Sequence, residues 1–176
     1  MLTFCGTGRF ITPFLRRHLY KVSAEQLFDF IALNYYSRVL IKMQWSIKEP
    51  FVSTCYGDEI MTDMPYALYP EGLYYAIETI SKFKVPIYIT ENGIADAHDK
   101  AREIFLHRYL YALGKAIKDG YDVRGYYYWT LMDNFEWDQG YKMKFGLYKV
   151  DFNTQIRTLR PSYIYYSYII KKSKAN

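Results

Sequence analysis

Composition and charge exclude several classes of protein for this chain of 176 residues. Half of the residues are hydrophobic (51%) and 23% are charged, which is the composition of a folded domain and not of a disordered chain. No apolar run approaches the roughly 20 residues that a membrane helix needs. The net charge of +5 comes from scattered basic residues, so the sequence does not predict a membrane or nucleic-acid partner.

Strands and helices are predicted to alternate along the chain. Each predicted strand is a short run of aromatic and branched residues, and the first two predicted helices show apolar residues at helical spacing. The predicted elements are the strand Phe28–Leu33, a helix from Pro70 to about Lys84, the strand Val85–Thr90, a helix from about Lys100 to Lys118, the strand Tyr126–Trp129 and a helix from about Pro161 to Lys172. Three strand–helix units in succession indicate a parallel β/α architecture.

Polar or aromatic residues stand where each predicted strand ends. They are Asn34 and Tyr36, Glu91 and Asn92, and Trp129. In β/α barrels the carboxyl ends of the strands meet at one rim, where the chemistry is placed. Each residue alone is more often a turn former or a core residue, but their occurrence on three successive strands favours a functional site.

The carboxylate of Glu91 leaves a buried strand and is followed by a turn at Gly93. Such a carboxylate is either a structural cap for a loop or a nucleophile that faces a pocket. Glycoside hydrolysis with retention needs two carboxyl groups about 5–5.5 Å apart. The 21 Tyr, 3 Trp and 11 Phe residues suit a sugar ligand, because tyrosine and tryptophan combine an apolar face with a polar group.

Two sequence blocks resemble a known family. The first, Ile87–Asp96, is Ile-Tyr-Ile-Thr-Glu-Asn-Gly-Ile-Ala-Asp, and the second begins Trp-Thr-Leu-Met-Asp-Asn-Phe-Glu-Trp at Trp129. From about Leu27 to Tyr168 the chain resembles glycoside hydrolase family 1, the β-glucosidases and β-galactosidases with a (β/α)₈ barrel, and most closely its archaeal branch. The resemblance implies an α/β fold in which residues 1–176 form one partial domain, the last three strand–helix units of a TIM barrel.

This resemblance also implies catalytic roles at matching positions. Glu91 would be the nucleophile that forms the glycosyl-enzyme intermediate, and Tyr36 would hold its carboxylate by a hydrogen bond. Asn34 would lie beside the general acid/base and help to orient the sugar.

Further positions match the family's sugar-recognition segment. Trp129 would lie against the apolar face of the sugar, with a cis peptide after it, and Glu136 and the indole of Trp137 would bind hydroxyl groups. Phe145 would form a wall of the pocket. The phospho-glycosidases have serine in place of Glu136 and supply Lys and Tyr where this chain has Met143 and Phe145. An unphosphorylated sugar is therefore expected, since a carboxylate repels a phosphate.

The family's general acid/base is not recognisable in these residues. It is a glutamate in a Thr-x-Asn-Glu-Pro motif that precedes the nucleophile, and the only Glu-Pro dipeptide here is Glu49-Pro50, preceded by Lys48. We interpret Glu49-Pro50 as part of a surface loop. The acid/base glutamate is then expected from an amino-terminal half that is missing here.

Three parallel strands cannot close a barrel. An open sheet would leave the apolar faces of Phe28, Ile31, Ile87 and Ile89 uncovered. The sequence therefore predicts a separate polypeptide that supplies the first five strands, or else a truncated remnant of an enzyme. Activity and stable folding of the chain by itself are not expected.

The sequence allows three functions. The first is a retaining β-glycosidase for unphosphorylated β-glucosides or β-galactosides, and the second is an inactive remnant or a non-enzymatic carbohydrate-binding module. A nucleic-acid module is disfavoured because no recognised motif supports it. Cys5 and Cys55 and the lack of a signal-like segment indicate a cytoplasmic protein. The spacing of His18, His98 and His107 predicts no metal site, and no cofactor is expected.

Overall fold

A computed structural model describes residues 3–5, 9–11 and 28–173. Its elements, in chain order, are β1 (Thr3–Cys5), β2 (Arg9–Ile11), β3 (Ile31–Asn34), β4 (Leu40–Met43), β5 (Phe51–Thr54), α1 (Pro70–Ser81), β6 (Ile87–Asn92), α2 (Arg102–Lys118), β7 (Val123–Tyr128), a 3₁₀ turn (Trp137–Gln139), β8 (Tyr148–Val150), β9 (Arg157–Leu159) and α3 (Pro161–Ser173).

A parallel sheet with the order β3-β6-β7 forms the centre of the described structure. Ile31 lies opposite Ile87, and Ile87 lies opposite Val123. Helix α1 connects β3 to β6, and helix α2 connects β6 to β7. Three antiparallel hairpins, β1–β2, β4–β5 and β8–β9, form separate two-stranded sheets.

Local sequence explains where the first two of these helices begin. Pro70 occupies the first turn of α1 and Glu71 places a negative charge there, which suits the positive end of a helix. At the start of α2, the Asp96 carboxylate accepts hydrogen bonds from the backbone N–H groups of Ala101 (2.8 Å) and Arg102 (3.1 Å). Side-chain acceptors of this kind satisfy donors that the helix itself leaves unpaired.

The apolar core lies between the sheet and the helices. Its buried residues come from α1, α2, β6 and the segments next to them, and Tyr165 and Tyr166 of α3 pack against it. The core residues are Leu68, Leu73, Ile77, Ile87, Ile89, Ile94, Phe105, Leu106, Tyr109, Leu113 and Ala116.

The helices cover one face of the sheet. Ile87 and Ile89 are buried on that face, so the prediction that an open sheet leaves them uncovered was wrong: α1 and α2 already cover them. Ile31 is half-buried. Phe28 is 40% exposed, as predicted, and Phe30 is 53% exposed. The edge of the ring of Phe30 meets the ring of Tyr88 at 5.3 Å between centroids.

The predicted helices agree with the observed ones, but all three strands differ at their ends: the second, predicted at Val85–Thr90, is Ile87–Asn92 in the structure. β3 begins at Ile31 and not at Phe28, and β7 begins at Val123 and not at Tyr126. The predicted surface loop at Glu49-Pro50 is exposed and lies in the turn between β4 and β5. The hairpins were not predicted.

Neither a membrane-spanning helix nor a metal-binding cluster is found among the described residues. None of the helices there combines the length and the apolar character that crossing a bilayer requires. Residues 28–173 bring together no group of three or more His, Cys, Asp or Glu side chains that could hold a metal ion. Cys55 is a free, exposed thiol, whereas His18 and the side chain of Cys5 lie outside the described part.

Candidate active site

The ends of the three parallel strands bring Tyr36, Glu91 and Trp129 to one rim. Beyond β3, the N–H of Tyr35 donates to the carbonyl of Glu91 (2.9 Å). Beyond β7, the N–H of Trp129 donates to the carbonyl of Asn92 (2.9 Å). These bonds extend the sheet past its regular ends, so that Tyr36 and Trp129 flank the strand that carries Glu91.

A hydrogen bond from Tyr36 orients the carboxylate of Glu91. The phenol of Tyr36 donates to its Oε2 atom at 2.7 Å. Burial raises the pKa of the Tyr36 phenol, and the hydrogen bond to Glu91 and the charge of that residue raise it further. Tyr36 therefore keeps its proton, and the bond holds a carboxylate in one orientation.

Glu136 is a second carboxylate near Glu91. Burial raises the pKa of Glu136, a hydrogen bond with the side chain of Trp129 opposes this rise, and the negative charge of Glu91 adds to it. Trp129 therefore contacts Glu136 through its side chain, and its backbone N–H donates to Asn92 on the strand that carries Glu91. The peptide bond between Trp129 and Thr130 is cis, as the resemblance implied.

Two aromatic rings lie near the ring of Tyr36. Phe145 is buried, and its ring meets the ring of Tyr36 edge-on at 6.1 Å between centroids. The ring of Tyr66 lies 6.4 Å from that of Tyr36. Burial and the charge of Glu136 raise the pKa of Tyr66. Sequence analysis missed Tyr66, because it lies in a loop with no strand end or motif beside it.

Asn34 and Trp137 are at the exposed margin of the site. The Oδ1 atom of Asn34 accepts a hydrogen bond from Thr90 Oγ1 at 2.7 Å, which joins the ends of β3 and β6. Trp137 is 82% exposed and has a φ of 41°. Its indole is thus open to solvent next to Glu136. Of the predicted site residues, these two have the most exposed side chains.

Close backbone contact links β6 to the segment after β7. A Cβ atom on Gly93 would lie 1.7 Å from the carbonyl oxygen of Trp129, so only glycine fits there. The buried side chain of Asn92 donates to the carbonyl of Tyr35 (2.6 Å) and accepts from the hydroxyl of Tyr126 (2.8 Å). These contacts hold the three strand ends at fixed separations.

A buried ion pair supports the loop that carries Glu136. The guanidinium of Arg160 donates to both oxygens of Asp133, at 3.0 and 3.1 Å. The same carboxylate accepts the backbone N–H groups of Gly146 (2.9 Å) and Val150 (3.3 Å). Asp133 is three residues before Glu136, so this pair ties the loop to the carboxyl-terminal part of the chain. Sequence analysis did not identify it.

The sequence of this chain is similar to that of a known protein family. The family model for glycosyl hydrolase family 1 matches residues 11–175. The β-galactosidase of Pyrococcus woesei is 38% identical over 153 residues, which are 75% of this chain and 29% of that protein.

Solved structures agree with this result. A β-glycosidase from Pyrococcus horikoshii superimposes with a TM-score of 0.69 at 42% identity, over 76% of this chain and 32% of that one. A family 1 β-glucosidase from Thermotoga maritima gives a TM-score of 0.76 at 34% identity, over 84% of this chain and 35% of that one.

The chain spans about a third of the length of these relatives. Its match is to their carboxyl-terminal part, and its parallel strands are part of a (β/α)₈ barrel. The family model spans nearly the whole sequence. This chain therefore belongs to glycosyl hydrolase family 1.

Proposed function

We propose that this chain carries the nucleophile and the sugar-binding part of a retaining β-glycosidase. The observation that supports this most is the 2.7 Å hydrogen bond from Tyr36 to Glu91 at the carboxyl ends of parallel strands. A carboxylate that is oriented in this way, beside aromatic rings and a second carboxylate, suits attack on an anomeric carbon.

Glu91 would act in two steps. Its carboxylate attacks the anomeric carbon, the bond to the leaving oxygen breaks, and that oxygen takes a proton from an acid. Water then attacks the glycosyl-enzyme and gives its proton to the residue that was the acid in the first step, which now acts as the base. This step releases the sugar and frees Glu91. The acid/base carboxyl is the part of this mechanism that we assign to residues outside these 176.

Binding of the sugar would fall to the residues around Glu91. Glu136 and the indole N–H of Trp137 would bind hydroxyl groups, and the Trp129 ring would lie against the sugar. Phe145 would close the pocket wall, and Asn34 would act near the bond that is cleaved. The contact between Glu136 and Trp129 supports this assignment, because it orients a hydrogen-bond acceptor beside an apolar surface.

The preferred substrates would be β-glucosides and β-galactosides without a phosphate. Glu136 has a raised pKa because of burial and the nearby charge of Glu91. A phosphate dianion would add a further negative charge to this site at a cost that grows in a low dielectric. Neutral sugars avoid that cost.

The rest of the barrel would cover the bare face of the sheet. Phe30 and Tyr127 are more than half exposed in the described structure, and parallel sheets are normally covered on both faces. We propose that the missing strands come from a longer form of this chain or from a second polypeptide. The free thiol of Cys55 supports a reducing compartment such as the cytoplasm.

A composite enzyme tests the proposal. This enzyme is a fusion of two parts. The first part is the amino-terminal region of the Thermotoga maritima β-glucosidase, which this chain does not match, and the second part is the full 176-residue chain. We expect a 2-deoxy-2-fluoro-β-glucoside with a good leaving group to label it once, and peptide mapping to place the label on Glu91. The variant Glu91→Gln should lose labelling and turnover, whereas Glu103→Gln, an exposed glutamate of α2, should keep both.

The same material distinguishes the alternatives. Label on another residue, or full turnover by Glu91→Gln, would overturn the assignment of the nucleophile. An inactive sugar-binding module predicts affinity for glucosides without any label. Mixing the two parts as separate polypeptides tests the second-chain hypothesis, since activity that appears only on mixing supports assembly of a barrel from two chains.

A further inference from the structure

Tyr109, on helix α2, is tied to the backbone of the site. Its side chain is fully buried and stacks on Phe105 with 4.1 Å between ring centroids. Its hydroxyl donates to the carbonyl of Tyr36 (2.9 Å) and accepts from the backbone N–H of Tyr69 (2.9 Å). A phenol has one proton to donate, and here that proton goes to the residue that holds Glu91.

The carbonyl of Tyr36 lies beyond the regular part of the sheet. β3 ends at Asn34, and the N–H of Tyr35 makes the last ladder bond, to Glu91. The two carbonyls that follow are then held by side chains: Asn92 donates to that of Tyr35 and Tyr109 to that of Tyr36. The carbonyl of Tyr36 is therefore held from α2, whereas that of Tyr35 is held from the sheet.

We propose that Tyr109 is a positioning residue for the nucleophile, which acts through the backbone of Tyr36. This inference rests on the proposed function of Glu91. The hydroxyl of Tyr109 fixes the backbone of Tyr36, the backbone fixes the direction of its side chain, and the phenol fixes the carboxylate of Glu91 at 2.7 Å. A displacement of about 1 Å at a reacting group can lower a rate roughly 100-fold.

Removal of one oxygen atom tests this inference in the composite enzyme. The variant Tyr109→Phe keeps the stack on Phe105 but loses both hydrogen bonds. We expect the rate constant of inactivation by the fluorosugar to fall at least about tenfold. The dissociation constant of the fluorosugar should not change, because the hydrogen bonds and ring contacts of Tyr109 within the described residues are with Tyr35, Tyr36, Tyr69 and Phe105, none of which is assigned to sugar binding. The variant Leu113→Ala, also buried on α2, lowers stability without touching the hydroxyl and should keep the rate constant.

A double-mutant cycle tests the route through Tyr36. Tyr36→Phe removes the bond to Glu91, so Tyr109→Phe should cause little further loss in that background. Three results would each overturn the role of Tyr109. They are a rate constant of inactivation in the double variant that falls by the product of the two single losses, an equal fall in Leu113→Ala, and no fall in Tyr109→Phe.

Hydrogen exchange separates this inference from the proposed function. Amide exchange at Tyr69 should be faster in Tyr109→Phe than in the unsubstituted composite enzyme, whether or not Glu91 is labelled. Unchanged exchange overturns the positioning contact itself. A wild-type composite that carries its label elsewhere overturns the proposed function and with it the catalytic meaning of Tyr109, while faster exchange still identifies the contact.

Discussion

The buried ion pair between Asp133 and Arg160 allows a sharp test of what holds the sugar-binding loop. Asp133→Asn keeps the size of the side chain but turns one oxygen into an NH₂ group. One carboxylate oxygen accepts from Gly146 N–H and Arg160, and the other accepts from Val150 N–H and Arg160. In either orientation of the amide, its NH₂ group therefore faces one backbone N–H and one guanidinium N–H, and no acceptor.

The cost of this change is large because both partners are buried. Removal of one member of a buried ion pair leaves an uncompensated charge and costs about 3–5 kcal/mol. We expect Asp133→Asn to lower the free energy of unfolding of the composite enzyme by that amount, and Arg160→Met to do the same. The double variant should cost less than the sum, since it leaves neither charge unpaired.

An exposed pair provides a matched control. Arg124 donates to both oxygens of Asp122 at 2.9 Å, but both side chains are more than half exposed. Asp122→Asn should leave stability unchanged, because water replaces the lost contact. Urea unfolding with linear extrapolation measures all variants. A loss below about 1 kcal/mol for Asp133→Asn, or additive single losses, would refute the reasoning for a buried pair.

Three further predictions concern the site itself. Gly93→Ala should lower stability by about 1–3 kcal/mol or more, because the added Cβ meets the carbonyl of Trp129 at 1.7 Å; an unchanged urea midpoint would contradict the close contact. The raised pKa of Glu136 means that its carboxylate takes up a proton at a higher pH than an exposed glutamate does. Affinity for the neutral ligand methyl 1-thio-β-glucoside, measured by calorimetry, should therefore begin to fall at that higher pH on acidification, and Glu136→Gln should show no such fall. Trp137→Phe should weaken the same ligand and leave Tm unchanged, because the indole is 82% exposed; a lower Tm would indicate a structural role.

The predicted helices were the most accurate part of the fold. Their apolar residues recur at helical spacing, and Pro70 and Pro161 mark the first residues of α1 and α3. The start of β7 was missed because Gly125 is an unfavourable strand residue. In the structure Gly125 lies against the ring of Tyr88, where a Cβ would be 2.6 Å away. That requirement arises from the neighbouring strand and leaves no local pattern.

The site was predicted through strand ends and family motifs. Position along the chain indicated Glu91, and the resemblance supplied its pairing with Tyr36, which the structure shows as a hydrogen bond. Tyr66 and Tyr109 were missed as neighbours of Tyr36. Tyr109 is 73 residues away in sequence and belongs to a helix whose spacing already explains it as core. Contacts of this range depend on how the helices pack, which sequence periodicity does not specify.

The bare face of the three-stranded sheet offers a reporter that needs no sugar. Phe30, whose ring contacts Tyr88, and Tyr127 are open to solvent there. Environment-sensitive dyes such as anilinonaphthalene sulfonate fluoresce on exposed apolar surface of this kind. Their emission should fall as complementary strands cover the face, so barrel completion can be titrated optically and its stoichiometry read before any glycoside is cleaved.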